Sequence, residues 1–200
     1  MLTYVKKRMQ SLLAAEARLL HRMGMTPNQV SGMGIFTAFL AAGSYWAVQQ
    51  NHLFLLIAPI LLLLSGFLDA LDGAIARLYG EATVFGGFLD SLLDRYADAC
   101  ILVAIMIAGL CSIFWGSVAL VGSFLVSYAR ARGEAAGSRM ETIGLAERAE
   151  RILVLGFASF VAFVRLEALN LGIIVLAVMT NFTVMQRAVH VYKTLKRKES

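Results

Sequence analysis

Residues 64–99, LSGFLDALDGAIARLYGEATVFGGFLDSLLDRYADA, place carboxylates at helical intervals within otherwise apolar sequence. Small residues share the faces of these carboxylates, with the three- and four-residue spacing that marks one side of a helix. The residues with this spacing are Asp69, Asp72, Gly73 and Ala76 on a first helix and Gly86, Asp90 and Asp94 on a second. A turn near 79–83 would bring the two faces together. The stretch therefore predicts two membrane helices whose acidic faces converge.

Such convergence requires cations, because four neighbouring carboxylates cannot all remain ionised without them. A charged side chain near the middle of a membrane costs roughly 2.5 kcal/mol or more, so these acids require a function. Ligands that are all oxygens, with no His or Cys nearby, favour a hard cation such as Mg²⁺, Mn²⁺ or Ca²⁺. The predicted metal ligands are Asp69, Asp72, Asp90 and Asp94. Arg77 beside them could then hold a phosphate.

The composition of the whole chain is that of a membrane protein. Of 200 residues, 59% are hydrophobic and 16% are charged, and the chain has two cysteines and two prolines. This excludes a disordered chain, a disulfide scaffold and an ordinary soluble domain. A helical crossing takes about 20 apolar residues, so we predict an all-α integral membrane protein with six transmembrane helices. The apolar stretches are 30–48, 53–68, 96–112, 114–127, 152–168 and 171–185.

The N-terminal segment 1–23 interleaves bulky apolar residues with lysines and arginines. This pattern predicts an amphipathic helix in the membrane interface, ahead of a six-helix membrane domain over 24–200. The alternatives are a solvated cap or a basic helix that binds a partner protein. Six crossings leave Arg165 as the one basic residue in the loops of the far side. The positive-inside rule therefore predicts a multi-pass protein of the cell membrane with both termini and the acidic cluster on the cytoplasmic side.

The net charge of +5 is concentrated at the expected membrane edges. We therefore expect contact with anionic lipids and phosphorylated substrates, and no nucleic acid. The acids allow three other interpretations. Salt bridges to Arg77 and Arg95 would explain two charges and leave the others unpaired. Intramembrane acids also mark ion pathways, which keeps a cation-coupled transporter as an alternative. The third is a catalytically inactive lipid-binding or scaffold protein.

The spacing of the acidic stretch resembles the complete signature of the CDP-alcohol phosphotransferases. In this chain the pattern reads Asp69-x2-Asp72-Gly73-x2-Ala76-Arg77-x8-Gly86-x3-Asp90-x3-Asp94. The resemblance implies a six-helix fold, and members of the family are commonly homodimers. It also implies an enzyme that transfers a phosphatidyl-type group, diacyl or archaeal diether, from a CDP-linked lipid to an alcohol and releases CMP.

The resemblance further implies a role for each signature residue, with Mg²⁺ or Mn²⁺ as the cofactor. Asp94 would be the general base, and would also complete a set of metal ligands with Asp69, Asp72 and Asp90. The donor would be bound by residues of the signature and by Asn28 and Ser31 at the start of the first span. A structural explanation of these two residues is equally good, because Asn and Ser are common at helix starts. The implied donor-site residues are Asn28, Ser31, Asp69, Gly73, Ala76, Arg77 and Gly86.

Arginines outside the signature bear on the identity of the acceptor. They occur in SYARARGEAAG at 127–137, in LAERAER at 145–151 and at Arg187 in the last span. Single arginines at a membrane edge are usually anchors, but a group of them predicts a pocket for a phosphate. These segments resemble the branch of the family that uses inositol 1-phosphate, and glycerol 3-phosphate is the alternative acceptor. The resemblance assigns the acceptor phosphate to Arg130, Arg132, Arg151 and Arg187.

Overall fold

A computed structural model describes residues 13–140 and 143–199 of the protein. In these ranges the chain is built from helices and short connections, without a β-strand, which confirms the all-α prediction. Most of the predicted N-terminal helix, 1–12, lies outside the described residues, and 13–22 are helical. The helices are α1 (13–22), α2 (Pro27–Trp46, followed by a 3₁₀ turn at Ala47–Gln49), α3 (Phe54–Tyr79), α4 (Val84–Ile107), α5 (Ile113–Ala135), α6 (Arg148–Ala162) and α7 (Glu167–Glu199).

The two helices that carry the acidic stretch, α3 and α4, have α2 as a common neighbour. Helix α2 packs against both of them, α5 packs against α4 and α7, and α6 packs against α3 and α7. An apolar patch joins α1 to this bundle, because Ala17 is fully buried beside Val30, Leu71 and Ile75. The described part of the N-terminal segment, 13–22, is therefore docked on the bundle.

Local signals in the sequence fix the two helix starts nearest the acidic stretch. Thr26 caps α2 in a capping box with Gln29, and Pro27 occupies its first turn. Thr83 caps α4 by accepting a hydrogen bond from the backbone N–H of Gly86. Helix α3 ends at Gly80, which has a left-handed backbone conformation with a φ of 68°. Glycine adopts this conformation without strain. Only residues 80–83 then separate α3 from α4, so the acidic faces of the two helices meet as predicted.

Small residues line the interior of the bundle and large apolar residues cover its surface. Ala38, Ala41 and Ala58 are fully buried, whereas Phe36 and Phe157 are 63% and 72% exposed. This distribution is typical of helices that pack closely inside a membrane, where lipid chains solvate the large side chains.

Within residues 13–140 and 143–199, three helices are long and apolar enough to cross a membrane, namely α3, α5 and the part of α7 from Glu167 to Arg197. The other long helices fall short for visible reasons. Helix α2 opens with polar residues, and α4 carries Asp90, Asp94, Arg95 and Asp98. Helix α6 has 15 residues. At 1.5 Å per residue it spans about 22 Å, less than the roughly 30 Å of a hydrocarbon core. The chain is thus a helical membrane protein with three spans that qualify by length and composition.

Candidate active site

Three carboxylates converge where α3 and α4 face each other. One oxygen from each of Asp69, Asp72 and Asp90 lies within 4.8 Å of the other two. Asp72 is buried and the other two are half-buried. Oxygens at this spacing can share one ion, and a site made only of carboxylates suits a hard divalent cation. The side chains present therefore fit the divalent metal expected from the sequence.

Asp94 lies one turn further along α4 and stands apart from this group of three. Its carboxylate is buried and contacts two arginines instead. Oδ1 is 2.7 Å from Nη1 of Arg148, and Oδ2 is 3.4 Å from Nη1 of Arg95. The structure thus brings together three of the four predicted ligands and places the fourth carboxylate next to them, held by cations.

Arg148 belongs to the segment that the sequence links to a phosphate pocket, although no individual role is predicted for it, and the structure places it at the centre of the site. Its Nη1 is 2.8 Å from Oδ1 of Asp69 as well as 2.7 Å from Asp94, and its Nε is 3.8 Å from Asp98. The side chain is 13% exposed. All of these contacts are with carboxylates, so Arg148 pairs with acidic side chains of both α3 and α4. The position of Arg148 three residues before Arg151, on one face of α6, was the available signal.

The salt-bridge alternative is only partly realised. Arg95 does pair with Asp94, but Arg77 lies against Gly73, where a Cβ would come within 3.1 Å of Nη1. Asp98 pairs with Arg151, whose Nη2 is 2.5 Å from Oδ2. The group of three carboxylates is therefore not neutralised by the arginines that the sequence suggested.

A cavity of about 210 Å³ opens on the α2 side of the carboxylates. All of the predicted donor-site residues line it except Asp69, which faces the other side of the cluster. Those that line the cavity are Asn28, Ser31, Gly73, Ala76, Arg77 and Gly86. Ser31 approaches the metal ligands directly, since its hydroxyl donates to Oδ2 of Asp72 at 2.5 Å. A Cβ at Gly86 would lie 2.8 Å from the capping hydroxyl of Thr83, which explains the glycine there.

A second cavity of about 410 Å³ opens on the α5 and α6 side and is rich in arginine. Three of the four predicted acceptor residues line it, namely Arg130, Arg151 and Arg187. Arg132 does not line this cavity and is exposed at the end of α5. The two cavities share Asp72, Gly73, Arg77 and Asp90. They therefore meet at the carboxylate cluster.

The arginines of the larger cavity differ in how firmly they are held. Arg187 is 2% exposed and donates to the backbone carbonyls of Val126 and Ile143, at 2.5 and 2.8 Å. These bonds fix the connection before α6 to α5 and α7. Arg130 is more exposed and pairs with Glu134 at 3.0 Å. The cavity thus combines buried guanidinium groups with a more exposed one, in an arrangement suited to an anion.

Comparison with known proteins identifies the family. Residues 24–192 match the CDP-alcohol phosphatidyltransferase family. The chain belongs to this family. It is 40% identical to the archaetidylinositol phosphate synthase of Pyrococcus horikoshii, covering 100% of this chain and 99% of that protein. It is 32% identical to the phosphatidylinositol phosphate synthase of Corynebacterium glutamicum, covering 97% and 90%.

Solved structures of another relative share the fold. The phosphatidylinositol phosphate synthase of Mycobacterium tuberculosis with CDP-DAG bound aligns with a TM-score of 0.76 at 28% identity, covering 91% of this chain and 94% of that one. The same protein in complex with manganese and citrate aligns with a TM-score of 0.76 at 29% identity, covering 90% and 88%. The present family member is accordingly a membrane enzyme that uses a divalent metal, and not a transporter or an inactive scaffold.

Proposed function

We propose that this enzyme transfers the lipid phosphate group of a CDP-linked lipid to inositol 1-phosphate and releases CMP. The observation that carries the proposal is the meeting of two cavities at one carboxylate cluster. One cavity has the donor-site residues of the family signature, and the other has arginines that suit a phosphorylated acceptor. The names of the relatives in Pyrococcus and Corynebacterium support the same acceptor.

The donor would lie in the smaller cavity with its diphosphate toward the shared wall. Arg77 lines both cavities and can contact phosphate oxygens from the wall itself. Gly73 and Gly86 have no side chains, so a bulky anion can approach the helix backbone there. Mg²⁺ or Mn²⁺ held by Asp69, Asp72 and Asp90 would neutralise the charge that develops on the diphosphate.

Asp94 is placed to accept the proton of the attacking hydroxyl. It lines the arginine-rich cavity and lies outside the group of three carboxylates, so one of its oxygens can serve as a base. The hydroxyl oxygen of the acceptor would attack the phosphorus that bears the lipid. The bond from that phosphorus to the bridging oxygen breaks, CMP leaves with the bonding electrons, and the proton passes to Asp94.

The arginines favour an acceptor that already carries a phosphate. Arg130, Arg151 and Arg187 would bind that phosphate in the larger cavity, since guanidinium groups match its oxygens with paired donors. A neutral alcohol such as inositol, or zwitterionic serine, brings no phosphate for these guanidinium groups to bind. Arg132 is not included in the proposal, because it lies outside the cavity lining.

We further propose that α2 to α7 each cross the membrane, that α1 lies on its cytoplasmic surface, and that the enzyme is a homodimer. The larger cavity is lined by residues of α3, α4, α5, α6 and α7. The connections at the opposite end of the bundle contain one lysine or arginine, Arg165. This asymmetry supports a cytoplasmic active site under the positive-inside rule. The homodimer rests on the resemblance to the family.

The test is CMP release by the purified full-length protein with a CDP-linked lipid and Mg²⁺. Inositol 1-phosphate, glycerol 3-phosphate, inositol and serine are compared as acceptors, and the lipid product is identified by mass spectrometry. Arg151→Gln removes a cavity arginine, and Arg165→Gln makes the same charge change at the far end of the bundle. Turnover with inositol 1-phosphate that falls in the first variant and not in the second supports the proposal. Turnover with glycerol 3-phosphate alone would overturn the acceptor and keep the chemistry.

A further inference from the structure

Arg148 and a metal ion would compete for the same carboxylate, and this inference rests on the metal assignment within the proposed function. Asp69 supplies one oxygen to the group of three carboxylates and also contacts Nη1 of Arg148 at 2.8 Å. The same guanidinium nitrogen lies 2.7 Å from Asp94. A divalent cation beside Asp69 would therefore face the positive charge of Arg148 at short range in a poorly solvated site, where charges repel strongly.

The way in which Arg148 is held distinguishes it from its neighbour on α6. Arg151 donates to the carbonyl of Ala146 at 3.1 Å and to Asp98 at 2.5 Å, so directed bonds fix it. Arg148 instead contacts carboxylates, since its Nη1 lies 2.8 Å from Asp69 and 2.7 Å from Asp94. Moving the Arg148 side chain loses ionic contacts that a divalent ion would replace.

Space for such a movement lies beside the residue. Arg148 already lines the arginine-rich cavity of about 410 Å³. It is the first residue of α6 and follows a connection in which Gly137 and Gly144 have positive φ. Arg130 and Arg187 line the same cavity.

We propose that Arg148 is an internal counter-ion that neutralises Asp69 and Asp94 before the metal binds and turns into the acceptor cavity when the metal arrives. Asp94 is then released from its closest cation only in the metal-bound enzyme. The acceptor cavity gains a positive charge in the same step. Metal binding thereby prepares both the base and the acceptor site, which makes Arg148 a positioning residue for the reaction.

The movement can be measured on the unmodified protein by labelling arginines with phenylglyoxal, with and without Mn²⁺. Peptide mass spectrometry reports the labelling rate of each arginine, and electron paramagnetic resonance reports bound Mn²⁺. Arg130 is exposed and Arg151 is bound to Asp98, so both serve as internal references. We expect saturating Mn²⁺ to raise the rate at Arg148 by about tenfold, a typical coupling between sites, and the reference rates by much less. In Asp72→Asn, which alters a metal ligand that no ion pair joins to Arg148, Mn²⁺ should not change the labelling.

A second measurement uses Arg148→Gln, in which the competing cation is absent. The dissociation constant for Mn²⁺ should fall about tenfold without substrates, and Arg165→Gln should leave it unchanged. Bound Mn²⁺ with unchanged labelling of Arg148 would overturn this inference and leave the proposed function standing. Failure of the native protein to bind Mn²⁺ would overturn the metal assignment and the inference together. If Arg148→Gln does not fold, the labelling of the native protein decides the matter.

Discussion

Asp94 combines burial with a position outside the metal-binding group, which is the arrangement expected of a proton acceptor. Asp94→Asn keeps the shape of the side chain and removes its ability to take a proton. We expect kcat to fall by about 10²- to 10⁴-fold, the usual contribution of a general base. Binding of the CDP-linked lipid should change little, because Asp94 does not line the donor cavity. The measurements are CMP release at saturating substrates and donor binding by calorimetry. A variant that retains a tenth of the native kcat would remove Asp94 from this role.

The sequence assigns both Arg130 and Arg132 to the acceptor phosphate, whereas the structure assigns them different positions. Arg130 lines the larger cavity, whereas Arg132 points away from its lining. Hydrogen bonds to charged groups contribute about 1.5–3 kcal/mol. We therefore expect Arg130→Gln to raise the KM for inositol 1-phosphate at least about tenfold, and Arg132→Gln to raise it far less. Equal effects in the two variants would favour the sequence prediction over the observed cavity.

At the scale of elements, α1 is joined to the short connection between α3 and α4. The ring of His21 stacks on Tyr79 with centroids 3.5 Å apart, and its Nε2 lies 3.1 Å from Oε1 of Glu81. Glu81 in turn lines the donor cavity. The N-terminal helix is thus positioned to stabilise one edge of the nucleotide-binding side of the site.

Tyr79→Ala tests this connection between α1 and the donor site. Aromatic pairs contribute about 0.5–1.5 kcal/mol beyond the area that they bury, so we expect a roughly two- to tenfold rise in the KM for the CDP-linked lipid. Amide hydrogen exchange over 13–22 should become faster, because α1 loses its contact with the end of α3. Tyr192→Ala, at an exposed position of α7, is the matched control. A rise in KM without faster exchange in α1 would place the effect in the cavity itself.

The elements near the signature could be predicted because their determinants are local. Helical spacing of the acids, the Thr83 cap and Gly80 are all legible in the sequence, and they bring the two acidic faces together. The arginines were harder to assign. Arg130 and Arg132 both lie on α5, where residues two apart do not share a face, so one cavity could not take both. The placement of Arg148 and Arg151 at the start of α6 also depends on the path of the connection between α5 and α6. That path depends on distant contacts, such as the hydroxyl of Thr183 accepting from the backbone N–H of Ala146. Spacing along the chain carries no information about such contacts.

At the scale of the molecule, charge is concentrated in one place within an otherwise apolar bundle. The cluster of Asp69, Asp72 and Asp90 lies where the two cavities meet, and among the ion pairs of the described residues only that of Arg148 with Asp69 reaches it. Unneutralised carboxylates in such surroundings destabilise the fold, since desolvation favours their neutral form. The bound metal is therefore expected to stabilise the whole protein as well as to assist the reaction.

This stabilisation should appear as a dependence of thermal unfolding on Mn²⁺. A ligand present at a hundred times its dissociation constant adds about 2.7 kcal/mol to the free energy of unfolding. For a chain of this size, this corresponds to a rise of roughly 5–10 °C in Tm over the protein in a chelator. Asp72→Asn should abolish most of the rise, because it removes the buried member of the cluster. Glu167→Gln, an equal charge change at the start of α7, should retain it. An unchanged response in Asp72→Asn would show that Mn²⁺ stabilises the protein from another site, because the three-carboxylate site would then have lost a ligand without effect.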